Sequence, residues 1–169
     1  MEKALIVIDF QKEWIDGNSE EYVGKIDEVI ERVNNLINYS RENNYKIIFT
    51  KHLEKDSEDA WSEGSEGVKL IENLNRRDSD IIVVKNKINP FYETNLDNEL
   101  GDVDEILVCG ILTNLCVRMF IEEAYDRDFR IRVIKDCCVA YDSEIQEFTF
   151  KDLKQTREEI EFLNLENLE

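Results

Sequence analysis

Short runs of aliphatic and β-branched residues recur along this chain and alternate with longer amphipathic stretches. The first run, from Ala4 to Ile8, is apolar throughout, which is typical of a strand buried on both faces. Similar runs predict further strands at 45–49, 81–84, 105–109 and 131–134. Alternation of such strands with helices indicates a parallel sheet covered by helices on both faces. We therefore predict an α/β fold: a three-layer α/β/α, doubly wound, mainly parallel sheet of five to six strands.

The segments between the strands contain three helical patterns and one long polar stretch. Apolar residues at spacings of three and four predict helices at 23–37, 113–127 and 143–159. The polar segment from Lys51 to Gly67 is predicted to be a long loop, and loops of this length are usually functional or mobile. The tail after Ile160 is expected to fray or to pack on a neighbouring subunit. No repeat or linker is visible, so residues 1–169 are predicted to form one domain.

The charge balance limits the classes of partner. The formal net charge is -18, with 42% hydrophobic and 36% charged residues, which is a globular composition. Nucleic acids and anionic membranes are recognised through basic patches, so neither is expected as a partner. The apolar run that ends at Ile8 is too short for a signal-peptide core or a membrane span, and a cytoplasmic location is predicted. The expected partner is a small-molecule substrate.

The four cysteines are Cys109, Cys116, Cys137 and Cys138. Nothing in the sequence resembles a small secreted protein that depends on disulfides, so the thiols are predicted to be free. There is no C-x-x-C motif, which argues against a zinc knuckle or a thioredoxin-like site. No cofactor is predicted.

Three reactive side chains follow predicted strands. Asp9 ends the first strand, Lys85 ends the third, and Cys116 lies in the turn that leaves the fourth. Ligands of open parallel sheets bind at the carboxyl ends of the strands, so these residues are predicted to meet there. Lys87 is an alternative to Lys85, and a lysine two strands away from Asp9 must reach across about 10 Å or be carried back by its loop.

Two of these residues, Asp9 and Cys116, also have a structural interpretation. Asp9 is either a general base or an acid that caps a neighbouring turn. Cys116 is either a buried apolar residue or a nucleophile in a first helical turn, where free N–H groups and the helix dipole would stabilise its thiolate. In the second case Gly110 breaks the strand, and Thr113 or Asn114 caps the helix.

Three segments together resemble the isochorismatase-like hydrolases: Ala4–Gln11, Val84–Leu96 and Val108–Val117. The resemblance extends in order to about Asp136, and the third segment is the most specific. It implies a catalytic triad of Asp9, Lys85 and Cys116. The spacing from the lysine to Phe91 and Thr94 selects Lys85 rather than Lys87. The family commonly forms homo-oligomers, so a dimer or tetramer is expected.

The resemblance also implies an oxyanion hole and raises a question about metal. It predicts a cis peptide between Ile111 and Leu112, with backbone N–H groups of Leu112 and Cys116 facing the oxyanion. Nicotinamidases of this family bind a metal through Asp-x-His and further histidines, whereas His52 is the only histidine here. One imidazole is too few, so no metal is predicted and nicotinamide is in doubt as the substrate. His52 is interpreted as a pocket-wall or loop-packing residue, with direct catalysis as the alternative.

Aromatic residues flank the motif segments and are candidates for pocket walls. Phe10, Trp14, Trp61 and Phe91 are each either core or pocket residues, and an apolar wall would suit a planar amide. Trp61, in the long polar loop, is the candidate lid residue.

The predicted function is a cysteine hydrolase that cleaves an amide-type C–N bond of a small molecule through a thioester. The cysteine favours acyl transfer over isochorismate cleavage, which does not require it. Alternatives within the fold are isochorismatase or nicotinamidase activity, a redox-sensing thiol, and a non-catalytic binding module. A flavodoxin-like or response-regulator protein shares the strand–helix order, but it would need a phosphate-binding loop or further acids after the first strand.

Overall fold

The structure is a computed structural model that describes residues 2–168. Its strands are β1 (Glu2–Ile8), β2 (Lys46–His52), β3 (Ile81–Lys85), β4 (Val103–Ile111), β5 (Arg130–Val139) and β6 (Glu161–Leu163). Its α-helices are α1 (Asp27–Glu42), α2 (Leu96–Leu100), α3 (Arg118–Tyr125) and α4 (Ser143–Thr156). A π-helical turn (Thr113–Val117) precedes α3, and two 3₁₀ turns cover Lys12–Ile15 and Leu165–Asn167.

The strands form one parallel sheet in the order β3-β2-β1-β4-β5-β6. Along the chain, β2 and β3 are added on one side of β1, and β4, β5 and β6 are then added on its other side. Right-handed crossovers then carry α1, between β1 and β2, and α3, between β4 and β5, to opposite faces. The predicted α/β, doubly wound parallel sheet is confirmed, with six strands. The change of side at β1 leaves a crevice at the carboxyl ends of β1 and β4, where ligands bind in folds of this kind.

The two central strands form the middle of the core. Ala4 to Ile8 in β1 and Ile106 to Cys109 in β4 are at most 1% exposed. Neighbouring strands continue this layer in register: Ile6 of β1 pairs with Ile48 on one side and with Val108 on the other. Continuous apolar runs are needed here because helices cover both faces of the sheet, so neither face meets water.

Gly110 does not end β4, contrary to the sequence-based expectation. The strand continues through Gly110 to Ile111, and Gly110 pairs with Ile8 on β1 and with Cys138 on β5. A Cβ atom at Gly110 would lie 2.5 Å from the Cβ and 2.7 Å from the carbonyl oxygen of Ile8. Glycine is therefore required for close packing of two strands, not for a turn.

The predicted single helix at 113–127 is divided in two. Residues Thr113–Val117 form the π-helical turn, and regular α-helix begins only at Arg118. Neither Thr113 nor Asn114 caps this segment, because Leu112 occupies the N-cap position without a side-chain hydrogen bond. The Thr113 hydroxyl instead donates to Gln146 Oε1 of α4 at 2.9 Å. π-helical turns are uncommon and occur often at functional sites.

The C-terminal tail is ordered by the sheet, and the expectation that it frays is wrong. Residues Glu161–Leu163 form β6, which pairs with Arg132 to Ile134 of β5 as a parallel edge strand. Glu161 also forms ion pairs with Arg130 at 2.9 Å and with Arg132 at 3.1 Å. With only three residues, one of them charged, this strand is too short for a hydrophobicity pattern to reveal.

The long connection between β2 and β3 runs from residue 53 to residue 80 and contains no helix and no strand of the sheet. The predicted loop is present, although Lys51 and His52 belong to β2. Hydrogen bonds tie the loop to the segment after β1: Lys12 N–H donates to Lys69 O at 2.8 Å, and Ile71 N–H donates to Phe10 O at 2.9 Å. None of the helices in the described part of the chain has both the length and the apolar character needed to cross a membrane.

Candidate active site

Three buried side chains converge at the carboxyl edge of the sheet. Lys85 Nζ lies 2.7 Å from Asp9 Oδ2 and 3.4 Å from Cys116 Sγ. The contact with Asp9 is an ion pair and not a well-directed hydrogen bond. The Lys85 and Asp9 side chains are 0% and 1% exposed, so both charges depend on each other for compensation. Burial favours the neutral amine of Lys85, but the charge of Asp9 and the thiol of Cys116 raise the pKa of Lys85. The ammonium form is therefore kept at neutral pH.

Thr50 orients the Asp9 carboxylate. The Thr50 hydroxyl donates to Asp9 Oδ1 at 2.6 Å and accepts a hydrogen bond from the Asp9 backbone N–H at 3.2 Å. This is possible because Ile8 and Thr50 are register partners on β1 and β2. Asp9 itself has a φ of 51°, in the left-handed region that aspartate tolerates better than most residues. The backbone thus turns sharply at the end of β1 and leaves Oδ2 for Lys85.

Cys116 is the fourth residue of the π-helical turn and is 6% exposed. Burial, together with the charge of Asp9, raises the pKa of its thiol to about 12, and Lys85 opposes that rise only in part. The expectation of a thiolate stabilised by the start of a helix is therefore not met, because desolvation outweighs the nearby ammonium. The resting group is a neutral thiol, which needs a base at the moment of attack. All four cysteines are free, as predicted, and Cys116 is buried together with the other three.

His52 lies beside the triad and contacts its lysine. His52 is the last residue of β2 and pairs with Lys85 across the sheet. Its Nδ1 lies 3.3 Å from Lys85 Nζ, and its Nε2 lies 3.8 Å from Glu54 Oε1. An ammonium can only donate, so Nδ1 is the acceptor and the proton of the neutral ring is on Nε2. Burial and the charge of Lys85 lower the pKa of His52, so the ring is neutral at pH 7.

A cavity of about 710 Å³ opens above these residues. Asp9 and Cys116 line it, while Lys85 is covered from solvent. Leu112 also lines the cavity, and the peptide between Ile111 and Leu112 is cis, as the resemblance implied. The wall further contains aromatic, charged and aliphatic side chains: Trp14, Glu21, His52, Glu54, Lys55, Trp61, Asn86, Lys87, Ile88, Glu93, Leu115 and Tyr141.

The structure separates the four aromatic candidates into two pairs. Trp14 and Trp61 line the cavity, and their ring centroids are 5.0 Å apart. Phe10 and Phe91 do not line it. Phe10 is 0% exposed in the core, and Phe91 stacks on Phe120 at 5.5 Å. Their apolar character is explained by core packing, which their position near the motifs did not distinguish from a pocket wall.

Some site residues were missed at the sequence level. Gln11 is fully buried, and its side-chain amide donates to His52 O and Val68 O while its Oε1 accepts from His52 N–H. It therefore holds the end of β2 and the long loop together. Glu21 and Tyr141 line the cavity from opposite loops and are hydrogen bonded through the tyrosine hydroxyl. The position of Gln11 within the first motif segment was a visible signal, whereas the meeting of Glu21 with Tyr141 depends on tertiary structure.

The residues around His52 do not fit a metal site. Within residues 2–168, no group of three or more His, Cys, Asp or Glu side chains is arranged to hold a metal ion. The Nδ1 atom of His52 faces an ammonium instead, and that positive charge would repel a metal cation.

Comparison with known proteins agrees with the fold. A family model described as the isochorismatase domain matches residues 3–160. The chain belongs to the isochorismatase family of hydrolases. Among its relatives in this family, the protein YaaI of Bacillus subtilis (strain 168) is 26% identical over 157 residues, which are 87% of this chain and 86% of the relative.

Two further comparisons concern a relative in sequence and a solved structure. Nicotinamidase 3 of Arabidopsis thaliana is 26% identical over 165 residues, covering 89% of this chain and 79% of the relative. The crystal structure of a cysteine hydrolase from Pseudomonas syringae pv. phaseolicola 1448A superimposes with a TM-score of 0.89 at 24% identity. That alignment covers 97% of this chain and 89% of the other, and it shows that the fold is shared.

Proposed function

We propose that this isochorismatase-family protein hydrolyses an amide-type C–N bond of a small molecule, with Cys116 as the nucleophile. The observation that carries the proposal is the contact of one buried ammonium, Lys85, with both Asp9 and Cys116 at the wall of a 710 Å³ cavity. A thiol and a carboxylate that contact the same cation are the groups that acyl transfer requires. The likeness to nicotinamidase 3 supports an amide substrate.

In the acylation step, Asp9 accepts the proton of the Cys116 thiol as the sulfur attacks the carbonyl carbon. The raised pKa of Cys116 fits this order, because a neutral thiol requires a base when it reacts. A new C–S bond forms, and the carbonyl oxygen becomes an oxyanion. When the C–N bond breaks, Asp9 returns the proton to the leaving nitrogen. An amine or ammonia departs and a thioester remains on Cys116.

In the deacylation step, Asp9 removes a proton from water, and the hydroxide attacks the thioester carbon. The C–S bond breaks and the thiol regains a proton, so the net reaction is amide plus water to carboxylic acid plus amine. Lys85 is the counter-ion throughout: it holds the Asp9 carboxylate in place and balances charge that moves between Asp9 and Cys116. We assign the oxyanion hole to the backbone N–H groups of Leu112 and Cys116, because both residues line the cavity.

The proposal is tested with a panel of small primary amides and ureido compounds, assayed with the wild type beside Cys116→Ala. At least one compound is expected to be hydrolysed, and Cys116→Ala is expected to lose at least about a thousandfold in kcat/KM. Circular dichroism of the variant controls for folding. Equal turnover by the wild type and by a folded Cys116→Ala variant would refute a nucleophilic role for this cysteine.

A further inference from the structure

One side of the active-site cavity is built from aromatic rings. Trp14 lies between Trp61, at a centroid distance of 5.0 Å, and Tyr141, at 6.4 Å. The rings are inclined to each other by 58° and 69°, so the wall is angular and not a flat stack. The three residues come from separate segments: the 3₁₀ turn after β1, the long loop after β2, and the connection from β5 to α4. Rings inclined in this way can present more than one π face or edge to a bound group.

A carboxylate adjoins this aromatic wall. Glu21 lines the same cavity, and its carboxylate accepts a hydrogen bond from the Tyr141 hydroxyl. Glu21 is half-buried. Apart from the triad and His52, the other charged residues of the wall are exposed: Glu54, Lys55, Lys87 and Glu93. Solvent screens exposed charges strongly, so Glu21 contributes more to the field at this wall than its exposed neighbours do.

The net negative charge of the whole molecule, like the Glu21 carboxylate, attracts cations to this wall. Lys85 is paired with Asp9, and the remaining acidic and basic side chains of the wall are three glutamates and two lysines. They lie in a chain of formal net charge -18. A field of this sign raises the local concentration of cations and lowers that of anions, and the effect weakens with ionic strength.

We propose that the substrate of this protein is an amide that carries a positively charged group, an alkylammonium or quaternary ammonium, held between the aromatic wall and Glu21. Tryptophan and tyrosine faces attract such cations through the ring quadrupole, and a neighbouring carboxylate adds a direct charge. The cavity of about 710 Å³ has room for this group in addition to the amide over Cys116. The inference rests on the proposed amide hydrolysis, since it names the substrate of the same site.

Binding is measured with Cys116→Ala, which separates recognition from turnover. The probes are trimethylglycinamide, which carries a quaternary ammonium, and 3,3-dimethylbutanamide, which has the same shape with carbon in place of nitrogen. Calorimetry is expected to show the cation binding about tenfold more tightly at low ionic strength, with the preference declining as salt is added. Equal binding, tighter binding of the neutral probe, or no binding of either probe would overturn the proposal.

Two substitutions and a matched control locate the preference. Glu21→Gln and Trp61→Leu, each made in the Cys116→Ala background, are expected to weaken binding of the cation about threefold to tenfold and to leave the neutral probe unchanged. Glu93→Gln removes an exposed carboxylate of the same wall and is expected to retain the preference. Loss of the preference in Glu93→Gln but not in Glu21→Gln would contradict the assignment.

The two proposals fail differently. If wild-type protein hydrolyses neutral amides through Cys116 without a preference for the cation, the cation site is wrong and the hydrolase stands. If the cation binds selectively and no amide is hydrolysed, the amide hydrolysis proposed above is wrong.

Discussion

Lys85 Nζ lies 2.7 Å from Asp9 Oδ2 although β2 separates the strands that carry the two residues. Neighbouring strands are about 4.8 Å apart, so the lysine side chain spans the end of the intervening strand. His52, the last residue of that strand, is the register partner of Lys85 and also contacts its ammonium. The long lysine side chain thereby connects Asp9, at the end of β1, with His52 of β2 through one ammonium group.

Removal of the lysine is expected to destabilise the fold as well as to stop the reaction. Lys85→Met leaves the Asp9 carboxylate buried without a counter-ion, which typically costs about 3–5 kcal/mol. Urea unfolding measures the change. The double variant Asp9→Asn/Lys85→Met has no buried charge at this position and is expected to recover much of the lost stability. A double variant as unstable as Lys85→Met alone would contradict a charge-pairing role.

The hydroxyl of Thr50 is expected to matter more for catalysis than its small size suggests. Hydrogen bonds to charged groups contribute about 1.5–3 kcal/mol, so Thr50→Val should lower kcat/KM by about 10- to 100-fold through a misplaced Asp9. Thr50→Ser keeps the hydroxyl and serves as the matched control, with activity near the wild type. Steady-state kinetics on any substrate found in the amide panel make the comparison. Equal losses in both variants would point to packing and not to the hydrogen bond.

His52 is expected to titrate below its ordinary pKa of 6.5, because burial and the Lys85 charge both disfavour the imidazolium. Below pH 6.5 His52 binds a proton in the unfolded chain but remains neutral in the folded chain. The free energy of unfolding therefore decreases as pH falls below 6.5. Since the chain has one histidine, the Cε1–H resonance of the imidazole needs no assignment among several rings and reports the titration by NMR. A pKa of 6.5 or higher would contradict the assigned contact with the lysine ammonium.

Cys116 is expected to react slowly with iodoacetamide at neutral pH and faster with each step toward pH 12. Its thiol has a pKa of about 12, so the thiolate fraction continues to rise toward pH 12, whereas an ordinary cysteine is half ionised at about pH 8.5. Asp9→Asn removes a charge that raises this pKa, so the alkylation profile should move to lower pH. Mass spectrometry identifies the modified residue. A plateau below pH 9 in the wild type would show that the thiol is activated at rest.

The fold was predictable from the sequence because its main signals are local. The apolar run from Ala4 to Ile8 has no polar interruption, so only a strand covered on both faces accommodates it. The edge strand β6 was not predictable, since its three residues are ordered by pairing with β5 and by packing of Phe162 on Phe150, partners that are distant in sequence. Gly110 was misinterpreted for a related reason: a glycine is required there because Ile8 of another strand lies too close for a side chain.

For the site, strand ends predicted which reactive groups share an edge, but not how they affect each other. The positions of Asp9, Lys85 and Cys116 followed from the order of strands. The neutral state of Cys116 did not, because it depends on how completely the surrounding core removes water from the thiol. The role of Thr50 also depends on strand register, which a single sequence does not specify.

Covalent catalysis by Cys116 is tested most directly by intact-protein mass spectrometry after rapid acid quenching with a hydrolysed amide. The wild type is expected to gain the mass of the acyl group, without its leaving amine, and peptide mapping should place that mass on Cys116. Cys116→Ala should show no adduct under the same conditions. An acyl group on another residue, or turnover that persists in Cys116→Ala, would contradict the proposed mechanism.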